Sequence, residues 1–457
     1  MHSDYADFLA KKAPIAHAVG IEPDDMPAHM FDFQADCVAF ALRQGRAAMF
    51  LDTGLGKTRI QLEWSAQAAE ASNGRALILT PLAVARQIER EGLALGYPVR
   101  VIRSQDEARD GINICNYDRL AALDTIQFGA VSLDESSILK SFTGATTRAL
   151  IASFADHRFR LCATATPAPN DHMELGTHSE FLGAMRSAEM LSRWFINDTA
   201  TASQNWRVKG HAVEPFWDWV ASWSRCAETP ADLGYDASRF ALPPMHVIRH
   251  KAIGDVKPMD GALFIQELSA TNIHDVKRQT TEARADAVAE LVHAEPGEAW
   301  VVWCDTDYES DALAKRIPQA IEVRGSHAPD KKEAALSAFS DGIARVLISK
   351  PSVCGMGMNW QHSARMAFVG RSFSYEAWYQ AVRRCWRFGQ TRPVDVHIIV
   401  AEGEEQIGRV IDRKAADHNT MRRAMASAMA RARETTAETK VPYIPTHTAE
   451  LPQWLFA

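Results

Sequence analysis

Short apolar runs of strand length alternate with helix-length amphipathic segments in two separate blocks of this chain. The first block holds runs at residues 47–51, 76–80, 112–115, 131–133 and 160–163, with helical segments such as 59–71 and 84–95 between them. The second holds runs at 299–304, 321–323, 345–349, 365–369 and 394–400, with helical stretches through Leu291 and around Leu313. Continuous apolar runs belong to strands covered on both faces, and a helix after each strand is the usual crossover of a parallel sheet. The expected fold class is therefore α/β, with two parallel-sheet lobes in tandem. At 457 residues the chain is long enough for two or three cores of ordinary size.

Between the blocks, over 186–282, this alternation disappears and Trp194, Trp206, Trp217, Trp219 and Trp223 crowd together. Phe216, Val220 and Trp223 fall at helical spacing, which reads as a packed core face rather than a base-stacking surface. The stretch is expected to be a mostly helical, Trp-rich insertion or linker. The remaining boundaries are an N-terminal segment (1–30), lobe one (31–185), lobe two (283–403) and an Arg-rich helical tail (404–457). Arg409, Arg413, Lys414, Arg422, Arg423, Arg431 and Arg433 in that tail read as a solvated helix face. The last stretch, KVPYIPTHTAELPQWLFA, contains prolines and ends apolar.

A formal charge of −7 excludes a global basic field, so any nucleic-acid partner must meet a local cluster of Lys and Arg. The seven cysteines are scattered and form no CxxC pair, as expected of reduced core thiols. The start, MHSDYADFLAKK, lacks a signal-peptide core, and no apolar run approaches membrane-spanning length; a cytoplasmic protein is expected.

The chemistry-bearing residues lie at the ends of the apolar runs. The strict phosphate-loop pattern is incomplete, because its first glycine position holds Leu51. What remains, DTGLGKT, still joins a strand to a helix. Gly54 and Gly56 let backbone N–H groups converge on phosphate oxygens, and the helix N-terminus adds partial positive charge. Lys57 is suited to the β- and γ-phosphates and Thr58 to a Mg²⁺ ion. Asp134 and Glu135 close the run AVSL, where an open parallel sheet sets a carboxylate beside the phosphate loop. Asp134 is read as the Mg²⁺ partner and Glu135 as the base that orients and deprotonates water. Arg384 and Arg387, in QAVRRCWRFGQ, are cations that lobe two can bring to the charge developing on a γ-phosphate.

In order along the chain, FDFQADCVAF, LDTGLGKT, ILTPLAVARQIERE, ICNYD, LDES, LCATATPAPND and ELGTHSEFLG resemble the lobe-one motifs of superfamily two helicase-like ATPases. In lobe two, SVCGMGMNWQHSARMAFVGRSFSYEAWYQAVRRCWRFGQTRPVDVHIIV resembles the stretch most diagnostic of the Swi/Snf-type DNA translocases among them. The resemblance spans residues 31 to 405. It implies two RecA-like lobes, with Gln34 at the adenine and Gly357 and Gln380 on the nucleotide side of lobe two. It implies Arg387 as the better finger of the pair. Thr164 and Thr166 would couple ATP state to the track, and Pro81, Asn116, Tyr117 and Lys350 are track candidates. Ser136 and Ser137 depart from the acidic box, and Trp360 stands where an aliphatic residue is usual. A compact member of this kind looks bacterial or phage-like.

The resemblance implies a nucleic-acid-dependent ATPase that uses ATP and Mg²⁺ and translocates on duplex DNA, with a protein partner possible besides. Three alternatives remain at this stage. A strand-separating helicase on DNA or RNA would share every motor residue. A non-catalytic nucleotide-dependent clamp is opposed by intact Lys57, Glu135 and Arg387. A metabolic phosphate-loop kinase is opposed by the long second lobe.

Overall fold

The computed structural model describes residues 15–198, 205–252, 277–354, 358–370, 372, 374–401 and 405–438. The extreme N-terminal segment, the Pro-containing last stretch and Gly357 lie outside the described residues.

Lobe one is built on β1 (Arg46–Leu51), β2 (Arg75–Thr80), β3 (Val99–Val101), β4 (Gly111–Asn116), β5 (Ala130–Asp134) and β6 (Phe159–Ala163). Every residue of β5 and β6 is buried, as expected of strands sandwiched between helices. An antiparallel strand pair follows, β7 (Phe195–Asp198) and β8 (Asn205–Val208), and then β9 (Ser224–Ala227) and β10 (Met245–Ala252). Lobe two adds β11 (Trp300–Trp303), β12 (Ile321–Val323), β13 (Val346–Ser349), β14 (Arg365–Phe368) and β15 (Val394–Ala401). The first sheet has the order β3-β4-β2-β5-β6-β1-β9 and the second β10-β15-β14-β11-β13-β12. All pairings within both sheets are parallel, giving the α/β fold with two tandem parallel-sheet lobes.

The Trp-rich stretch holds helices Ser187–Trp194 and Val213–Trp223 and contributes to both sheets as well. β9 lies beside β1, with Ala48 opposite Ser224, and β10 lies beside β15, with Met245 opposite Val394. Trp194, Trp217, Trp219 and Trp223 are buried in the lobe-one core, and Trp206 packs against its edge. Trp223 meets the Phe50 ring edge-on at 6.0 Å. These aromatics are core residues in this arrangement. Lobe two buries Trp303, Phe339 and Trp360 on one face of its sheet and Val288, Trp300 and Leu313 on the other. Trp360 fits because its ring meets Trp303 and Phe339 while its N–H donates to Ser340 Oγ at 3.2 Å.

The basic tail differs from a solvated helix. Glu405–Glu438 follows lobe two's β15 and packs on lobe one's Val213–Trp223 helix and on β9. Met421, Met425, Ala428 and Met429 enter the lobe-one core. Near its start, Ile411 packs with Ala165 of lobe one and with Tyr375 and Tyr379 of lobe two. The apolar residues at helical spacing make it a strap across both lobes. All seven cysteines are buried and unpaired. Among the described residues, no helix is long and apolar enough to cross a membrane.

Candidate active site

The candidate residues line the carboxyl edges of the strands, where open parallel sheets place their ligand crevices. The loop after β1 passes through Gly54 at φ 91° and Gly56 at φ 80°, in the left-handed region that glycine enters without strain. A Cβ at Gly54 would lie 2.8 Å from Phe388 Cβ, and one at Gly56 would lie 2.2 Å from Gln34 Nε2, so that the amide would have to move. Gln34, in the helix Asp32–Gln44, donates to the Leu55 carbonyl at 3.0 Å and accepts from Phe31 N at 3.1 Å. Lys57 opens the helix Lys57–Glu70 and folds back onto its loop, with Nζ 2.9 Å from Leu51 O and 3.3 Å from Asp52 O. Burial pushes this ammonium's pKa down, against the pull of Glu135, Asp52 and Asp134. Thr58 follows, partly buried in the first helical turn.

Asp134 ends β5 with both carboxylate oxygens engaged. Oδ1 accepts from Gln61 Nε2 at 2.9 Å and Oδ2 from Thr80 Oγ1 at 3.0 Å. Burial raises its pKa, and those two hydrogen bonds oppose the rise. Glu135 is the only non-glycine residue among those described with positive φ, at 53°. Such a backbone costs about 1–3 kcal/mol and is held only by its surroundings. Its Oε2 accepts from Thr164 Oγ1 and Gln380 Nε2, each at 3.4 Å. Burial first, and the Asp134 charge second, raise the Glu135 carboxyl to about 7.

Lobe two meets this edge with the helix Tyr375–Val382 and the residues after it. Gln380 Oε1 accepts from Arg384 Nη2 at 2.7 Å, so one amide joins the arginine to Glu135. Arg384 also donates to Gln380 O at 2.9 Å and Met358 O at 3.0 Å. Burial, with Arg387 next, lowers its pKa to about 10. Arg387 Nη1 reaches Met358 O at 3.4 Å, while its Nε is buried without a hydrogen-bond partner among the described residues. A cation so placed, and felt by Lys57, suits an anion entering between the lobes.

The other expected residues are distributed along the same edges. Pro81 caps the helix after β2, and Asn116 ends β4, its side chain accepting from Asp118 N at 3.1 Å. Tyr117 is buried, and its hydroxyl supports Asp134 by donating to that residue's carbonyl at 2.7 Å. Thr164 and Thr166 are fully buried, with Thr166 N donating to Thr164 Oγ1 at 3.1 Å. Lys350, after β13, pairs with Asp307 at 2.9 Å and lines a small cavity with Asp305, Ser374 and Trp378. Ser136 lies 3.2 Å from His178 Nε2, and burial lowers that imidazole to about 4, leaving it neutral near pH 7.

Sequence reasoning did not single out Asp52, Thr53, Tyr379 or Arg383, and it read Arg422 as part of a solvated helix face, whereas that side chain is buried. Arg383, one residue before Arg384, is the arginine that crosses to the loop after β1, with Nη2 2.8 Å from Asp52 Oδ2 and Nε 2.5 Å from Thr53 Oγ1. The adjacent arginines were visible in VRRCWR, but not which of them crosses. A second interlobe pair, Lys140 to Glu376 at 2.6 Å, lies nearby.

No protein-family model matches the chain. No curated protein matches it either. Among solved structures, it is similar to the SWI2/SNF2 ATPase core of Sulfolobus solfataricus in complex with dsDNA, with a TM-score of 0.42 and 16% identity over 94% of this chain and 99% of that one.

Proposed function

We propose that this chain is an ATP-hydrolysing motor that moves along nucleic acid, with duplex DNA as its track. The observation that carries the ATPase reading is the contact of Gln380 with both Glu135 and Arg384. It links a base candidate on lobe one to an arginine on lobe two, so the site is complete only when the lobes are together. The motif order along the sequence supports the choice of track.

In this reading Lys57 leaves its backbone carbonyls for the phosphates entering the loop. Thr58 and Asp134 would hold Mg²⁺, which neutralises charge on the β- and γ-phosphate oxygens when bound. The donor set fits: a hydroxyl and one fixed carboxylate suit an ion that keeps waters and takes its other ligands from phosphate. Among the described residues no cage of three or more acidic, His or Cys side chains competes for it. Glu135, with its raised pKa, is suited to accept a proton from water near neutrality. Arg384 and Arg387 then stabilise charge spreading over the transferring phosphoryl group. Thr164 and Gln380 both touch Glu135, so both lobes sense its state, and a track gripping the two lobes would favour closure and turnover.

The test is steady-state ATP hydrolysis by the purified protein alone and with duplex DNA, single-stranded DNA or RNA. Stimulation by duplex DNA supports the proposal. A single-strand or RNA preference replaces the translocase by a strand-separating helicase, and no stimulation by any of them removes the nucleic-acid track.

A further inference from the structure

Asp52, the residue after β1, has no role in the hydrolysis scheme, yet its carboxylate is heavily engaged across the lobe boundary. It is 2% exposed. Its Oδ1 accepts from Thr53 N at 2.6 Å and from the Tyr379 hydroxyl. Its Oδ2 faces Arg383 Nη2 at 2.8 Å and Arg422 Nη2 at 3.4 Å. Arg383 fixes the next residue too, donating to Thr53 Oγ1 at 2.5 Å and Thr53 O at 3.1 Å. Its guanidinium lies 4.9 Å from the Trp386 ring centroid, and Arg422 Nη1 is 3.5 Å from Tyr379 Oη. Three segments distant in sequence therefore converge on one carboxylate: the phosphate loop, the lobe-two arginine segment and the C-terminal helix.

Such a knot has a directional consequence. Two arginines and a carboxylate withdrawn from water are tolerable together, but removing one partner leaves a buried charge uncompensated. The lobes cannot separate without taking Arg383 and the Tyr379 hydroxyl away from Asp52. Because Asp52 precedes Thr53 and Gly54 in the loop, the same contacts set the backbone leading to Lys57. Phe388 closes on Gly54 from the lobe-two side, leaving no room for even a methyl group.

We propose that Asp52 is the docking anchor for lobe two, clasped by Arg383 and braced by Arg422 from the C-terminal helix, and that this clasp holds the lobes together before nucleotide binds. Asp52, Arg383 and Arg422 are positioning residues. Their effect on turnover rests on the ATPase reading, whereas their effect on lobe separation does not.

The experiment measures the interlobe distance in nucleotide-free protein. Spin labels are attached at Ile126→Cys and Ile343→Cys, exposed positions in lobes one and two, while the native cysteines are buried. With Asp52 and Arg383 intact, a single narrow distance distribution is expected. Arg383→Gln should broaden it towards longer distances, and Arg383→Lys should restore part of the closed population. Arg383→Gln keeps Asp52 with Arg422 at 3.4 Å; the double variant Asp52→Asn/Arg383→Gln removes both charges of the pair and keeps Arg422 with Glu228 at 3.9 Å. It should be as open as Arg383→Gln alone, because both changes break one contact. In turnover assays Arg383→Gln should lower kcat roughly tenfold with KM within about twofold, the pattern of lost alignment rather than lost nucleotide contact. Closed distributions in both Arg383→Gln and the double variant would overturn the proposal. If the parent protein hydrolyses no ATP, the functional reading fails, and the distances still decide the clasp.

Discussion

The Gln380 side chain of lobe two reaches Glu135 of lobe one at 3.4 Å while its carbonyl oxygen accepts from Arg384 at 2.7 Å. A single amide thereby ties the orientation of a candidate base to that of a candidate arginine across the lobe boundary. Gln380→Ala should lower kcat by about tenfold to a hundredfold and leave nucleotide affinity nearly unchanged, since alignment contributes to the transition state more than to binding. Parallel measurement of kcat and nucleotide Kd checks this; a loss confined to Kd contradicts the bridge.

Glu135 carries its carboxyl raised to about 7 from an ordinary 4.5. Between those values the folded protein holds a proton that the unfolded chain has released, so this group's contribution to stability falls as pH rises through the window. The deprotonated base accumulates over the upper part of the same range. Turnover should rise with pH up to about 7 and level above it. Glu135→Gln should lose that limb and fall by roughly 10²–10⁴ in rate. A pH–rate profile of both proteins decides; an unchanged limb in the variant assigns it to another group.

Asp52 has the opposite sign. Burial alone would raise its carboxyl, but Arg383 and Arg422, the Tyr379 hydroxyl and Lys57 hold it at about 2, below the ordinary 3.8. The resulting stability is fully present above the ordinary value and is lost as pH falls through the folded one. Thermal midpoints should therefore separate the parent from Asp52→Asn clearly at pH 7 and much less near pH 2. An equal gap at both pH values would mean that the carboxylate's charge is not what the fold uses.

The fully buried Trp360 fills the lobe-two core against Trp303 and Phe339. Trp360→Ala should cost about 3–5 kcal/mol by cavity formation. Trp360→Leu, which keeps part of the volume, should cost less. Denaturant unfolding of the two variants tests the order, and equal stability with the parent would contradict the packing assigned to this ring.

Much of this architecture was legible in the sequence because buried parallel strands are continuous apolar runs. The run at 321–323 is β12, and the runs at 76–80 and 394–400 fall inside β2 and β15. Strands β3, β7, β8, β9 and β10 escaped, and the last two are of another kind. β9 has only four residues, SRCA, and β10 reads MHVIRHKA with most of its side chains turned to solvent, so neither shows an apolar run. Both lie at sheet edges, where one side carries no neighbouring strand.

The glycine-rich part of the candidate site was legible for a related reason. Gly54, Gly56 and Lys57 are adjacent in sequence, and local backbone geometry dictates their spacing. Arg383 was hidden because sequence cannot say which neighbouring arginine crosses a lobe boundary; docking in three dimensions decides that. Arg422 was hidden among other basic residues of one helix. Its burial follows from Met421, Met425 and Met429 on the same face, which enter the lobe-one core.

The central claim is that the site is shared between the lobes, with the arginine of lobe two acting on the transition state. The most direct measurement pairs nucleotide affinity with single-turnover hydrolysis in Arg387→Ala. The account predicts near-parental affinity with hydrolysis lowered by about 10³-fold or more. Parental hydrolysis in the variant, or loss of affinity without loss of the chemical step, would contradict it.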